Sequence, residues 1–164
     1  MKKIILFITL IVLYSCTPSK DTENKYINQR NEIEKINTLK KNEIEALFKK
    51  IKLNKTEKQN FKDSENVYFA VKKFNSNLDS LIKKIQLKKQ DREVDSSIVQ
   101  KYYFYKKEFI SKLNITNDLK SKQSIDSLLH NKYELYDLPN FAIQSEFVNS
   151  KLNANNVAIL LLNK

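Results

Sequence analysis

The sequence predicts an all-α fold, an antiparallel helical bundle of about four main helices with a long N-terminal helix. Two observations carry this. First, glycine is absent from the 164 residues and proline occurs only at Pro18 and Pro139. Glycine is the residue that accepts positive φ without strain, and the favoured two-residue hairpins depend on it. Tight β-hairpins are therefore disfavoured. So are glycine-rich loops that bring backbone amides against a phosphate, which removes the usual dinucleotide and P-loop nucleotide sites. Second, apolar residues recur in steps of three and four, not in alternation.

The elements follow in order. Residues 1–15 read as a signal peptide. Lys2 and Lys3 precede the apolar run Ile4–Leu13, and the small Ser15 follows after Tyr14. This run is about half of the roughly 20 residues that a spanning helix needs. Leu13-Tyr14-Ser15-Cys16 resembles the lipobox of bacterial lipoproteins, in which the cysteine thiol takes a diacylglyceryl group and becomes the mature N-terminus. Tyr14 is bulkier than the usual residue there. Cys16, the only cysteine, is thus the lipidation candidate and the link to a lipid bilayer. Residues 16–24 are polar beyond the cysteine and read as a flexible tether. Asp21 and Glu23 bear a weak likeness to surface-export signals of Bacteroidetes lipoproteins.

The bundle domain is expected over 25–164. A first helix over 25–53 carries the stripe Ile33, Ile36, Ile44, Leu47 and Ile51, widened by Leu39 and Phe48. A break is expected at Asn54-Lys55, with Thr56 opening a capping box that Gln59 completes. The second helix, 57–88, has the most regular pattern: Val67, Val71, Phe74, Leu78, Leu81 and Ile85, with Phe69 and Ile82 beside it. Residues 89–96 form a polar loop in which Asp95 or Ser96 can cap the third helix, 97–114. Its stripe is Ile98, Tyr102, Tyr105, Phe109 and Leu113. A shorter helix over 117–130 carries Ile125, Leu128 and Leu129. Residues 131–138 hold Tyr133, Leu135, Tyr136 and Leu138 and form an apolar strap ahead of Pro139. The last helix, 139–162, takes Pro139 in its first turn and offers Phe141, Phe147, Val148, Leu152, Ile159 and Leu160 for burial.

The net charge is +11, or +9 once Lys2 and Lys3 are lost with the leader. Almost all positive charge is lysine; Arg30 and Arg92 are the only arginines. Bidentate reading of guanine or phosphate belongs to arginine, so no nucleic-acid partner is expected. The lysines are spread along every segment, as on a solvated surface or a face that meets anionic lipid.

No catalytic set is legible. His130 is the single histidine and, with no free thiol after acylation, the only base for a nucleophile site. Asp126 is four residues before it and Ser124 and Ser127 are near, yet a helix-end histidine is the simpler reading. A Cys/His zinc site is excluded by count. Asp91, Glu93 and Asp95 lack the glycine and spacing of a calcium loop, and no cofactor is implied. Asp79-Ser80-Leu81 and Asp126-Ser127-Leu128 resemble the short O-glycosylation sequon of Bacteroidetes, within expected helices.

Tyr102-Tyr103-Phe104-Tyr105 is the densest aromatic patch. Four consecutive side chains point around a helix, so Tyr103 or Phe104 must face a neighbouring helix or a partner. Tyr103, Phe104, Tyr133 and Tyr136 are therefore the candidate partner-binding residues.

Three segments carry a family resemblance. They are Val67–Ile85, Tyr105-Lys106-Lys107-Glu108-Phe109 with Leu113, and the strap Leu128–Pro139 followed by Ala142. Their order over 57–164 resembles the N-terminal periplasmic helical domain of the gliding-motility protein M family, the rotor-side component of the type IX secretion motor in Bacteroidetes. The family enters the membrane through a spanning helix, where this chain carries Cys16. It also continues into β-rich domains that have no counterpart in residues 1–164. The resemblance implies a stand-alone helical domain beside such machinery, not a motor subunit.

The expectation is a membrane-anchored cell-envelope lipoprotein, not an enzyme, whose helical domain is an interaction or scaffold module with an envelope protein partner. The alternatives are a carboxylate-based hydrolase of envelope polymers, which needs paired Asp/Glu across a cleft, and a lipid- or ligand-binding helical bundle.

Overall fold

The computed structural model describes residues 20–57, 62–87, 95–113, 123, 125–127, 129–131 and 133–163. Among them the fold is an all-α helical bundle with no strand. Four long helices are present: α1 (Lys20–Glu57), α2 (Lys62–Gln86), α3 (Ser96–Lys112) and α4 (Asn140–Leu162). A 3-10 turn, Leu135–Asp137, precedes α4, and residues 125–127 and 129 are also helical. The chain divides into two units, 1–32 and 33–164. The described part of the first, 20–32, is the largely exposed opening of α1. All contacts below lie within the second.

Helix α1 is longer at both ends than its periodicity suggests. It starts at Lys20, so the last five residues of the expected tether are helical. Asp21 and Glu23 sit in its first turn, where negative charge meets the positive end of the helix dipole. The expected break at Asn54-Lys55 does not occur. Thr56 Oγ1 donates to the Lys52 carbonyl at 3.0 Å, four residues back along the same helix, and so does not open a capping box. Gln59, the other member of that box, lies outside the described residues.

Only part of the α1 stripe is covered. Ile44 and Ile51 are buried, Ile33, Leu47 and Phe48 are half-buried, and Ile36 and Leu39 are exposed. At 3.6 residues per turn, Leu39 lies about 140° around the helix from Ile44, and Ile36 about 80°. Ile33 and Ile51 are within about 20° of Ile44.

Helix α2 organises the core. Its six stripe residues, Val67, Val71, Phe74, Leu78, Leu81 and Ile85, are all buried, joined by Tyr68 and Ala70. Ile82 is half-buried and Phe69 is exposed. The helix packs against α3 and α4. Tyr68 stacks on Phe48 of α1, ring centroids 5.5 Å apart. Phe74 stacks on Phe109 of α3 at 4.8 Å.

Asp95 caps α3. Its carboxylate accepts from the Ser97 backbone N–H at 2.9 Å, satisfying one of the donors left open in the first turn. Ile98, Tyr102, Phe109 and Leu113 are buried as expected, and Val99 joins them. Tyr105, at the edge of the stripe, is only half-buried. Ile125 and Leu129 are buried in the same core; Leu128 lies outside the described residues.

The strap is not extended throughout. Leu135 is completely buried at the head of the 3-10 turn, which packs against α3. Tyr133 and Tyr136 are exposed and Leu138 is half-buried. Tyr136, though largely exposed, still lies against Tyr103 of α3, and Leu138 packs against the core beside Leu135. Pro139 sits at the N-cap, φ −65° and ψ 155°, one residue before α4 begins. Its carbonyl accepts from Ala142 and Ile143.

In α4, Phe141 and Phe147 are buried, Val148, Leu152 and Ile159 are half-buried, and Leu160 is exposed, against expectation. Ile143, Ala154, Asn155, Val157, Ala158 and Leu162 are buried as well. Polar and apolar residues are interspersed around this helix, so its periodicity does not single out a face. Ala154 and Ala158, four residues apart, are completely buried.

Candidate functional site

Three features of the 33–164 unit carry polar or exposed aromatic chemistry. The first is built on α3. Buried Tyr102 donates its hydroxyl proton to Asn131 Oδ1 at 2.7 Å. With that proton committed, it accepts from Ser150 Oγ of α4 at 2.8 Å. Lys106 Nζ, one turn on, donates to the same Asn131 oxygen at 2.7 Å and lies 5.9 Å from the Tyr102 ring centroid. Burial pushes the Tyr102 hydroxyl up to about 12; the Ser150 and Asn131 hydrogen bonds pull the other way. Burial holds the Lys106 ammonium below its ordinary range, partly offset by the charge of Glu146. The cluster ties the chain before the 3-10 turn to α3 and α4.

The second feature lies beside it. Tyr103 faces Tyr136 of the 3-10 turn, ring centroids 6.4 Å apart. The Tyr103 hydroxyl is raised above its ordinary range, first by partial burial and then by the charge of Glu134, while a hydrogen bond with the Leu135 backbone opposes this. Two of the four candidate partner-binding residues are thus brought together. Phe104 is 63 % exposed and packs edge-on against Tyr105 at 5.8 Å. Tyr133 is exposed on the strap.

The third feature is a groove of about 920 Å³ between α1, α2 and α4. Ile44, Phe48, Ile82 and Val148 supply its apolar surface. Asn75 lines it and is joined to Asn155: Asn75 Nδ2 donates to Asn155 Oδ1 at 3.1 Å, and Asn155 Nδ2 donates to the Ile44 carbonyl at 3.1 Å. Three helices are joined by these two amides. Lys151 of α4 pairs with Asp79 of α2 at 2.6 Å. Asn149 of α4 accepts from Lys40 of α1. Two amide oxygens, Asn37 Oδ1 and Asn75 Oδ1, are buried with no hydrogen-bond partner.

Comparison of the chain with protein-family models, curated proteins and solved structures yields no match. The functional reading therefore rests on the residues themselves.

The other sequence candidates are placed as follows. Cys16 lies outside the described residues, as do Asp91 and Glu93. His130 is exposed just beyond the helical residues 125–127 and 129, its backbone N–H donating to the Ser127 carbonyl at 3.4 Å. Asp126 and Ser127 are exposed too. In Asp79-Ser80-Leu81, Ser80 Oγ donates to the Ser76 carbonyl at 3.1 Å and Leu81 is buried; the second such tripeptide ends at Leu128, outside the described residues. Among the described residues no group of three His, Cys, Asp or Glu is placed to hold a metal ion, and no helix is long and apolar enough to cross a membrane.

Sequence reasoning missed the groove and its asparagines. A signal exists for one. Asn75 lies four residues after Val71 and three before Leu78, at the edge of the α2 stripe beside Ile82. A polar residue at an apolar position is the informative kind of burial.

Proposed function

We propose that this protein is a membrane-anchored cell-envelope lipoprotein whose helical domain is an interaction or scaffold module. The observation that carries the address is Cys16, set directly after Lys2-Lys3, the apolar run Ile4–Leu13 and Ser15. Acyl chains on one cysteine hold a protein firmly, since each buried methylene adds about 0.8 kcal/mol of membrane affinity.

The interaction surface is the aromatic face of α3 and the 3-10 turn. Tyr103 and Tyr136 lie together there, with Phe104 exposed on the same helix as Tyr103. Aromatic side chains are enriched at protein interfaces because they bury large area with few rotatable bonds. The resemblance of 57–164 to the gliding-motility protein M family makes type IX secretion or gliding machinery the first place to seek the partner.

The test is cross-linking in intact cells from a photoreactive phenylalanine at Phe104 or Tyr136. The expected result is a light-dependent adduct with one envelope protein from these positions and none from Lys84, an exposed residue on α2. Equal yields from all three positions, or no adduct from any, would remove the interaction reading.

A further inference from the structure

We propose that the groove between α1, α2 and α4 binds a neutral, hydroxyl-rich ligand, a short segment of an oligosaccharide. Four observations point there.

The first is unmet hydrogen bonding. Asn37 Oδ1 and Asn75 Oδ1 both belong to groove-lining residues and are buried with no partner. Asn75 is 9 % exposed. An unsatisfied buried carbonyl costs about 1–3 kcal/mol; both oxygens are covered in the free protein, so a ligand that turns these side chains outward and brings O–H or N–H donors to them recovers that cost.

The second is the kind of polar group on the walls. Asn37, Asn75, Gln86 and Gln144 carry amides, and Thr38 and Ser76 carry hydroxyls. Each such side chain can both donate and accept. A sugar hydroxyl has the same double capacity, so every orientation finds a partner.

The third is charge. Glu34, Glu45 and Asp79 face Lys41, Lys72, Lys83 and Lys151 around the groove, and Asp79 is already paired with Lys151. Carboxylates would repel an anion as the lysines would repel a cation. A neutral ligand meets neither penalty, while charged side chains still give strong hydrogen bonds to its hydroxyls.

The fourth is shape. About 920 Å³ is at the upper end of the roughly 300–1,000 Å³ of small-molecule sites, room for several linked sugars. Ile44, Phe48, Ile82 and Val148 offer an apolar wall to the C–H faces of sugar rings. The inference is independent of the membrane anchor, since every residue it uses lies within 33–164.

The experiment uses the full chain, purified in a detergent without a sugar headgroup, on an array of immobilised neutral oligosaccharides, anionic oligosaccharides and uncharged peptides. Neutral oligosaccharides of three or more sugars should be retained, with little dependence on ionic strength. Asn37→Leu should weaken retention at least tenfold with an unchanged circular dichroism spectrum. Gln144→Ala, on the opposite wall, should weaken it as well and guards against a folding defect in the first variant. Absence of any retained neutral oligosaccharide would overturn the proposal. So would retention unaffected by both substitutions. Preference for anionic oligosaccharides that salt abolishes, or for peptides, would equally refute it.

Discussion

Phe74→Ala removes a ring at the centre of the bundle. The Phe74 side chain is 2 % exposed, sits midway along α2, and stacks on Phe109 with the ring planes 16° apart. Truncation loses the transfer free energy of the ring and leaves a cavity that helices on two sides cannot fully close. Such changes cost about 3–5 kcal/mol, a large share of the roughly 5–15 kcal/mol that holds a domain folded. Phe69→Ala, five residues earlier but on the exposed face, should change stability by less than about 0.5 kcal/mol. Urea denaturation followed by circular dichroism gives both numbers, provided the denaturant slope is unchanged. A double-mutant cycle with Phe109→Ala should show a coupling of about 0.5–1.5 kcal/mol for the stacked pair. A loss below about 1 kcal/mol for Phe74→Ala would mean that α2 does not present this face to the core, and the packing argument would fall.

Two other outcomes follow from the buried polar groups. Tyr102 keeps its proton in the folded protein up to about 12, whereas in the unfolded chain it ionises near 10. The unfolded state therefore binds fewer protons above pH 10, and stability falls as pH rises through the window from about 10 to about 12. Wild type should lose about 1.4 kcal/mol more than Tyr102→Phe by about pH 11, since one pH unit is worth about 1.36 kcal/mol. Parallel pH profiles of the two proteins would refute the buried-hydroxyl account. Asn155→Leu leaves Asn75 Nδ2 without its acceptor, and should cost about 1–3 kcal/mol in the same urea assay; the Ile44 carbonyl, inside α1, keeps its helical bond. Adding Asn75→Leu should recover part of that loss; an additive double variant would show that the two amides are not coupled.

The legibility of this molecule followed the regularity of its apolar spacing. In α2 the steps of four and three keep one face in phase for five turns, and all six stripe residues are buried. A cap at Asp95 or Ser96 was recognisable because a short oxygen-bearing side chain can accept from a first-turn amide ahead of it, and Asp95 does so. The ends of α1 were less legible, because a threonine hydroxyl can cap a helix or bond back along it, and Thr56 does the second. Leu39 and Leu160 are exposed although hydrophobic, since composition alone does not say which side of a helix finds a neighbour. Tyr103 and Tyr136 are 33 positions apart; their pairing depends on Leu135 anchoring the 3-10 turn. The groove depends on three helices at once, and only Asn75, a polar residue at the edge of an apolar stripe, hinted at it.

The measurement that bears most directly on the anchored-lipoprotein account is metabolic labelling with an alkyne fatty acid, followed by mass spectrometry of the mature N-terminus. The account predicts that wild type is labelled, that its N-terminal residue is an acylated Cys16, and that Cys16→Ser carries no label. Label retained in Cys16→Ser, or a mature wild-type protein in which Cys16 is unmodified, would contradict it.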